Sequence, residues 1–427
     1  MVWCACSDRG AIGIFKKQSP HEAYAQKLKD AGLDKTVMGS LWLNNATQIV
    51  DKALNISLPY KETGYFAADK PDGAALRFEA KRGRRITVNL VKKPSVNYSI
   101  YIDLFQQKDN ETSKIIASAD TGGIQLQYDI KQDGKYILRL QPELLQSGEY
   151  TLTITAGPSL SMPVSASGKP YIGSLFGANR DDGSRKHEGI DIFAPKGTAA
   201  IAAANGTVTN VGENTLGGLV VFFRPDDADY TLYYAHLDKQ LVQQGQRLKT
   251  GDTVGLVGNT GNAQFTPSHL HFGVYGNNGV VNPVYFVEKE TGTPAAITGS
   301  LTNLNATVRT INALNKLYAG TDNKQPTRLN IPKNTALTVE AATGSWYKVK
   351  LPDGVNGYIA NDNVAKITTI RNITLKNERA LYDAPDSLNA PRKTLLATGK
   401  KVEVLAAYKN YYLVKNDALT GWILAAE

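Results

Sequence analysis

The sequence predicts a mainly β, multidomain protein, and three observations carry that expectation. Long stretches alternate apolar and polar residues with a period of two, as half-buried strands do. A segment of about 65 residues recurs in the C-terminal third. The 427 residues are also too many for one ordinary core, and they suit several modules in series. Apolar residues make up 42% and charged residues 20%, with 38 Gly and 18 Pro, a balance that builds packed cores and excludes a disordered chain.

Residues 1–18 read as a signal remnant and linker. The only cysteines, Cys4 and Cys6, precede the first plausible folded element, so no disulfide framework supports the body of the protein. Val2-Trp3-Cys4-Ala5-Cys6-Ser7-Asp8 resembles the end of a bacterial lipoprotein signal, in which a lipidated Cys becomes residue one. Export needs a basic start and an apolar stretch of about 7 to 15 residues before it. The reading therefore implies a start lying upstream of Met1 and a lipid anchor to a membrane through Cys6. Elsewhere no apolar run is long enough to span a bilayer.

Residues 19–60 read as a helical arm. Ser19-Pro20-His21-Glu22 has the grammar of a capped helix start, and Ala23, Leu28, Leu33, Leu41 and Ile49 recur at helix-like intervals. His21, among charged residues at that start, reads as an ordinary surface histidine. Over 61–165 the period switches to two, as in Arg85-Ile86-Thr87-Val88-Asn89-Leu90-Val91 and Tyr150-Thr151-Leu152-Thr153-Ile154, which predicts a β-sandwich. Asp133-Gly134-Lys135-Tyr136 and Gly148-Glu149-Tyr150 resemble the pre-peptidase sandwich domains that accompany secreted bacterial proteases. The net charge of +9 favours polyanions of any kind. Its one tight cluster, Lys81-Arg82-Gly83-Arg84-Arg85, reads as a solvated strand end with no nucleic-acid module around it, so nucleic acid is not an expected partner.

The repeat divides the C-terminal third into 300–368 and 369–427. Leu317-Tyr318 returns as Leu381-Tyr382, Trp346-Tyr347-Lys348-Val349-Lys350 as Tyr411-Tyr412-Leu413-Val414-Lys415, and Gly357-Tyr358-Ile359 as Gly421-Trp422-Ile423. Two copies of one small β-barrel follow. Their grammar, ending in Gly-aromatic-Ile, resembles bacterial SH3-like domains, which commonly bind cell-wall peptides or pack against a catalytic domain. Trp346, Tyr411 and Trp422 recur at matched positions and offer themselves either as barrel core or as flat apolar surface for a peptide.

Four of the five histidines fall between His187 and His271. The segments are His187-Glu188-Gly189-Ile190-Asp191-Ile192, Tyr233-Tyr234-Ala235-His236-Leu237 and Ser268-His269-Leu270-His271-Phe272. Ile190, Ile192 and Phe193 around Gly189 disfavour a helix, and in a strand residues two or four apart share a face. His187 and Asp191 then point the same way, as do His269 and His271, about 6.6 Å apart along the strand. One imidazole of such a pair can bind a metal while its neighbour stands one shell out. Imidazole with carboxylate suits zinc, and three protein ligands with an open position are the catalytic arrangement.

Order, spacing and surroundings together resemble the lysostaphin-type zinc endopeptidases. The resemblance extends to Gly189-Ile190-Asp191-Ile192-Phe193-Ala194-Pro195, Ala204-Asn205-Gly206-Thr207-Val208, Gly251-Asp252-Thr253-Val254-Gly255 and His269-Leu270-His271-Phe272, over residues 171–288. It implies an antiparallel β-sheet framework with a groove over the metal. His187, Asp191 and His271 would hold Zn²⁺, and His236 and His269 would assist attack of water as general acid and base. The activity implied is hydrolysis of peptide crosslinks in bacterial peptidoglycan by an exported protein of the cell envelope, a periplasmic lipoprotein facing the wall, with stem peptides as partners. Two other readings stand beside it: a catalytically inactive wall-binding or amidase-activating scaffold, and a zinc peptidase acting on proteins. Neither the bond cut nor the oligomeric state is legible.

Overall fold

The computed structural model describes residues 18–108, 113–120, 122, 124–180, 183–289 and 292–425. Cys4 and Cys6 lie outside the described residues. The fold is mainly β. Among the described residues no helix is long and apolar enough to cross a membrane.

The chain enters through two helices, Pro20–Asp30 and Val37–Asp51. The expected cap is present: Ser19 Oγ accepts from the Glu22 N–H, the Glu22 carboxylate accepts from the Ser19 N–H, and Pro20 occupies the first turn. His21 overturns the expectation of a surface histidine. It is 4% exposed, stacked on Trp42 with ring centroids 4.6 Å apart, and its Nε2 lies 2.7 Å from Gln141 Oε1. Its place on the inner face of the helix explains this, because the arm lies flat on a sheet. Trp42 Nε1 donates to the Pro142 carbonyl, and Arg139 donates to the Ala46 carbonyl and to Asp103.

That sheet has five strands in the order Leu54–Asn55, Ala74–Ala80, Gly134–Pro142, Ile100–Gln107, Lys114–Ser118. Its inner face meets a second sheet containing Tyr60–Phe66, Gly148–Pro158, Arg84–Lys93 and Gln125–Asp129, and the two enclose a core that includes Leu76, Ile86, Val88, Leu138 and Leu152. The helical arm explains why Gly134–Pro142 departs from simple alternation and is buried along most of its length. With one face against the core and the other under the helices, both of its sides are dry.

The second sheet does not stop at the end of this region. Thr63 and Gly64 of Tyr60–Phe66 pair with Ala342 and Ala341 of Ala336–Thr343, so the sheet runs on into the first C-terminal repeat. Beneath the junction Glu62, wholly buried, accepts from Lys348 Nζ at 2.8 and 3.0 Å, from Tyr150 at 2.7 Å and from Tyr60 at 2.7 Å. The second repeat forms its own six-stranded sheet. Tyr411 and Trp422 are buried in a cluster with Val308, Leu317 and Tyr347 of the first, which removes them as a flat ligand surface. Trp346, half-buried, packs edge-on against Tyr318.

The basic cluster is also corrected: Lys81 is exposed, but its neighbours form a seam. Arg82 pairs with Asp229 at 3.1 Å, and Arg84, 7% exposed, donates to the Glu288 carbonyl at 2.6 Å. Between them Gly83 has φ +94°, and a Cβ there would meet the Phe286 ring at 2.3 Å. The histidine-bearing region beyond this seam is a ten-stranded sheet. Its path runs Tyr171–Ser174, Ile190–Phe193, His269–Gly276, Tyr230–Gln240, Gly218–Pro225, Gly206–Asn214, Arg247–Leu248, over a core that includes Ile190, Ile192, Phe223, Tyr234 and Phe272.

Candidate active site

Antiparallel pairing brings the sequence-distant groups together. Asp191 stands directly across from His271, Phe193 across from His269, and Ala235 across from His271 on the other side. Strand alternation puts Ile190, Ile192, Leu270 and Phe272 into the core and leaves Asp191, His269 and His271 on the opposite face. The strand argument holds for His269 and His271 but not for His187, which precedes Ile190–Phe193 rather than belonging to it. A loop carries it instead, fixed by the His187 N–H to the Ala178 carbonyl at 2.8 Å and by the Gly177 N–H to the His187 carbonyl at 2.8 Å.

Three ligand-type atoms converge. His187 Nε2 lies 3.0 Å from Asp191 Oδ1 and 3.0 Å from His271 Nδ1, and His271 Nδ1 lies 3.1 Å from Asp191 Oδ1. His187 Nδ1 is 2.9 Å from the Leu175 carbonyl, which can only accept, so in the neutral ring Nδ1 carries the proton. The His187 Nε2 lone pair then faces a carboxylate oxygen in a site where His187 is 2% and Asp191 6% exposed. Only a proton or a cation between them makes that arrangement favourable. The spacing suits a metal, since tetrahedral ligands at about 2.0 to 2.1 Å stand roughly 3.3 to 3.4 Å apart. Gly189 clears the way: a Cβ at 189 would lie 2.7 Å from His271 Cε1 and Nε2.

His236 and His269 face the same space without joining the triangle. His269 Nδ1 is 2.8 Å from the Pro267 carbonyl and His236 Nδ1 is 2.9 Å from the Thr260 carbonyl. Both neutral rings are thereby held with Nε2 as the basic nitrogen. The His269 Nε2 lies 3.8 Å from Asp191 Oδ1, and the two ring centroids are 5.0 Å apart. Burial, then the charges of His269 and His271, push His236 down to about 4, so it is neutral at pH 7. Burial raises the Asp191 carboxyl, but His187 and His271, whenever protonated, outweigh it by donating to the carboxylate and hold the group well below the usual carboxylate range.

His236 reaches this position through an irregularity that no spacing rule reveals. Its φ is +60°, unusual for any residue but glycine, and the pairing register of Tyr230–Gln240 against Gly218–Pro225 shifts at this point. Such a conformation costs on the order of 1 to 3 kcal/mol and persists because the surroundings hold it. Here the His236 N–H donates to the Gly217 carbonyl at 2.7 Å. Gly218 (φ +62°) and Gly261 (φ +68°) interlock beside it, a Cβ at Gly218 meeting Gly261 N at 2.4 Å. Gly218 and Gly261 serve backbone geometry, whereas a Cβ at Gly217 would meet the Tyr233 hydroxyl at 2.1 Å. Gly258 forms a β-bridge with His269.

All five groups line one cavity of about 720 Å³, together with Phe193, Leu216, Phe222, Tyr233 and Tyr275. Arg180, Ser174 and the carbonyls of Leu175, Thr260 and Pro267 complete the site, and no sequence pattern pointed to them.

Residues 185–283 match the family model described as peptidase family M23. Over 88 residues the chain is 39% identical to the peptidoglycan DD-endopeptidase ShyC of Vibrio cholerae, covering 21% of this chain and 20% of that protein. Over 133 residues it is 35% identical to the murein hydrolase activator NlpD of Salmonella dublin, covering 30% and 33%. The solved structure of LytU aligns at 41% identity over 27% of this chain and 82% of that one, with a TM-score of 0.25. The chain thus spans about a fifth to a third of the length of these curated relatives. Every candidate histidine and Asp191 lie within residues 185–283, the segment that matches this family model.

Proposed function

We propose that this chain is a zinc-dependent endopeptidase that hydrolyses peptide crosslinks of bacterial peptidoglycan. The observation that carries the reading is the triangle of His187 Nε2, Asp191 Oδ1 and His271 Nδ1, with the basic nitrogens of His236 and His269 held toward the same cavity. His187, Asp191 and His271 are assigned as the ligands. When bound, zinc supplies Lewis-acid polarisation of a scissile carbonyl and a water acidic enough to lose its proton near neutral pH.

The protein's own part is proton handling and alignment. His236 stays neutral at pH 7, so its Nε2 can take a proton, and the Thr260 carbonyl keeps the ring from turning away. His269, anchored by the Pro267 carbonyl and flanked by Phe193, presents its own basic Nε2 beside it, and the ring that takes the water's proton is the one that passes that proton on to the leaving amine. Tyr233 and Phe222 give the cavity an apolar wall against which a peptide can lie flat.

A wall substrate is supported by the relative named a peptidoglycan endopeptidase, by the net positive charge and by the SH3-like strand grammar of the repeats. We place the protein in the cell envelope, anchored through Cys6 and facing the wall. The relative named a hydrolase activator favours a second reading, a non-catalytic activator. The complete ligand set and the two aligned histidines weigh against it.

The test is metal analysis beside hydrolysis of a crosslinked muropeptide for four variants. Asp191→Ala and His271→Ala are expected to lose zinc and activity together. His236→Ala and His269→Ala are expected to retain near-stoichiometric zinc while turnover falls roughly 10²- to 10⁴-fold. Loss of zinc in His269→Ala with retention in His271→Ala would reverse the roles along that strand. A wild-type protein that binds zinc but leaves every crosslinked muropeptide intact would favour the activator.

A further inference from the structure

The two oxygens of Asp191 face different partners. Oδ1 belongs to the triangle, whereas Oδ2 accepts a hydrogen bond from Arg180 Nη2 at 2.6 Å. The same nitrogen donates to Ser174 Oγ at 2.7 Å, and that hydroxyl lies 3.4 Å from His187 Nδ1. One guanidinium nitrogen therefore ties together the surroundings of two candidate ligands. Arg180 stands on the two-residue strand Asn179–Arg180, paired with Arg185–Lys186, and this hairpin leads directly into His187.

We propose that Arg180 is a positioning residue that occupies Asp191 Oδ2, so that the carboxylate offers the metal one oxygen and not two. The inference rests on the reading of His187, Asp191 and His271 as zinc ligands. A carboxylate can bind a metal through either or both oxygens, and the second mode would use the position that water or substrate needs. A charge-assisted hydrogen bond at 2.6 Å opposes that mode, because the second oxygen could bind only after the bond broke. A guanidinium is a rigid, planar fork of donors, so the bond holds the carboxylate in one orientation. It also withdraws negative charge from the carboxylate, which leaves a bound metal a stronger Lewis acid.

Arg180 is 31% exposed at the cavity edge, so the competing role is to grip a carboxylate of the substrate. The full chain distinguishes the two. Arg180→Met keeps the aliphatic stem and removes every donor, and Arg180→Lys keeps charge and donor. Zinc affinity is measured by competition with a chromophoric chelator, and coordination by the visible d–d bands of the cobalt(II)-substituted protein. Arg180→Met is expected to bind zinc about 10- to 100-fold more weakly, because loss of the contacts that orient Asp191 and Ser174 outweighs the gain from a more basic carboxylate. Its cobalt bands should weaken as coordination rises from four toward five, and Arg180→Lys should restore most of both signals. Wild-type affinity and spectrum in Arg180→Met, with only KM raised on a crosslinked peptide, would overturn the proposal in favour of substrate binding. Should Arg180→Met not fold, Arg180→Leu, which also lacks a donor, takes its place with the same two readouts and the same overturning result. A wild-type chain that binds neither zinc nor cobalt would instead defeat the reading of the three ligands.

Discussion

The two C-terminal repeats have one strand plan and opposite ways of docking. In each, the long strand shifts register at the same point, between Val339 and Ala341 in the first and between Val404 and Ala406 in the second. Tyr318 pairs with Tyr358 in one and Tyr382 with Trp422 in the other. The same positions then face outward and meet the preceding unit. Lys348 of the first repeat enters the pocket of Glu62, while its counterpart Leu413 joins an apolar cluster on the first repeat. Tyr358 places its hydroxyl 3.1 Å from that of Tyr60, and its counterpart Trp422 is buried against the same apolar cluster. A repeat surface of fixed strand plan can thus be made ionic or apolar by two substitutions, each matched to what it touches. The first joint also continues a sheet, whereas the second adds one bridge between Thr335 and Ala407.

The comparison can be broken most directly by truncation. Removing 369–427 is expected to leave a soluble, cooperatively folded protein that retains muropeptide hydrolysis. Removing 300–427 uncovers the edge of Tyr60–Phe66 and strands Glu62 in a dry pocket without its cation, so aggregation or loss of cooperative unfolding is expected. Size-exclusion chromatography and thermal unfolding followed by circular dichroism read both. A well-folded 1–299 fragment would show that the two joints are equivalent. Because of this coupling, the longer truncation is no clean probe of wall binding.

Exchanging the chemistry of the joints sharpens the contrast. Lys348→Met leaves an uncompensated buried carboxylate and should cost about 3 to 5 kcal/mol, with the Glu62→Gln, Lys348→Met double variant closer to wild type. Leu413→Lys should free the second repeat alone, seen as new proteolysis near residues 367–370 with the main unfolding transition retained. Equal global losses for Lys348→Met and Leu413→Lys would mean the joints do not differ in kind.

A third joint, beneath the helical arm, is polar but uncharged at its histidine, and it predicts a smaller effect set by pH. Burial and then the Arg139 charge push His21 down from 6.5 to about 4. The unfolded chain takes up this proton between pH 6.5 and 4 and the folded one does not. Stability from this group is therefore full above pH 6.5 and falls as pH drops toward 4, by at most roughly 3 kcal/mol. His21→Phe should flatten that part of the stability curve measured by urea unfolding. An unchanged slope would place the pH dependence elsewhere.

What was legible differs between the parts of the site. His269 and His271 share a face because a strand has period two, and their apolar neighbours Leu270 and Phe272 mark the strand. His187 and Asp191 also come together, but a loop does it, so the strand argument gave the right pairing for the wrong reason. His236 needed a positive φ and a shifted register, which no residue pattern announces. Arg180 was invisible because its role depends only on which oxygen of Asp191 remains free. His21 and the 81–85 cluster were misread for one reason: polar residues look solvated until the surface that covers them is known.

By itself the sequence determined the period of each segment, the caps and turns, the internal repeat and the set of residues able to bind a metal, because these follow from local geometry and side-chain chemistry. Only the tertiary structure decided which faces become joints, since burial is a property of two surfaces and not of one. It decided that a sheet would run from Tyr60–Phe66 into Ala336–Thr343, across more than 260 residues of chain. It also set three ligand-type atoms about 3 Å apart, distances fixed by strand pairing for Asp191 and His271 and by a loop for His187 rather than by spacing along the chain.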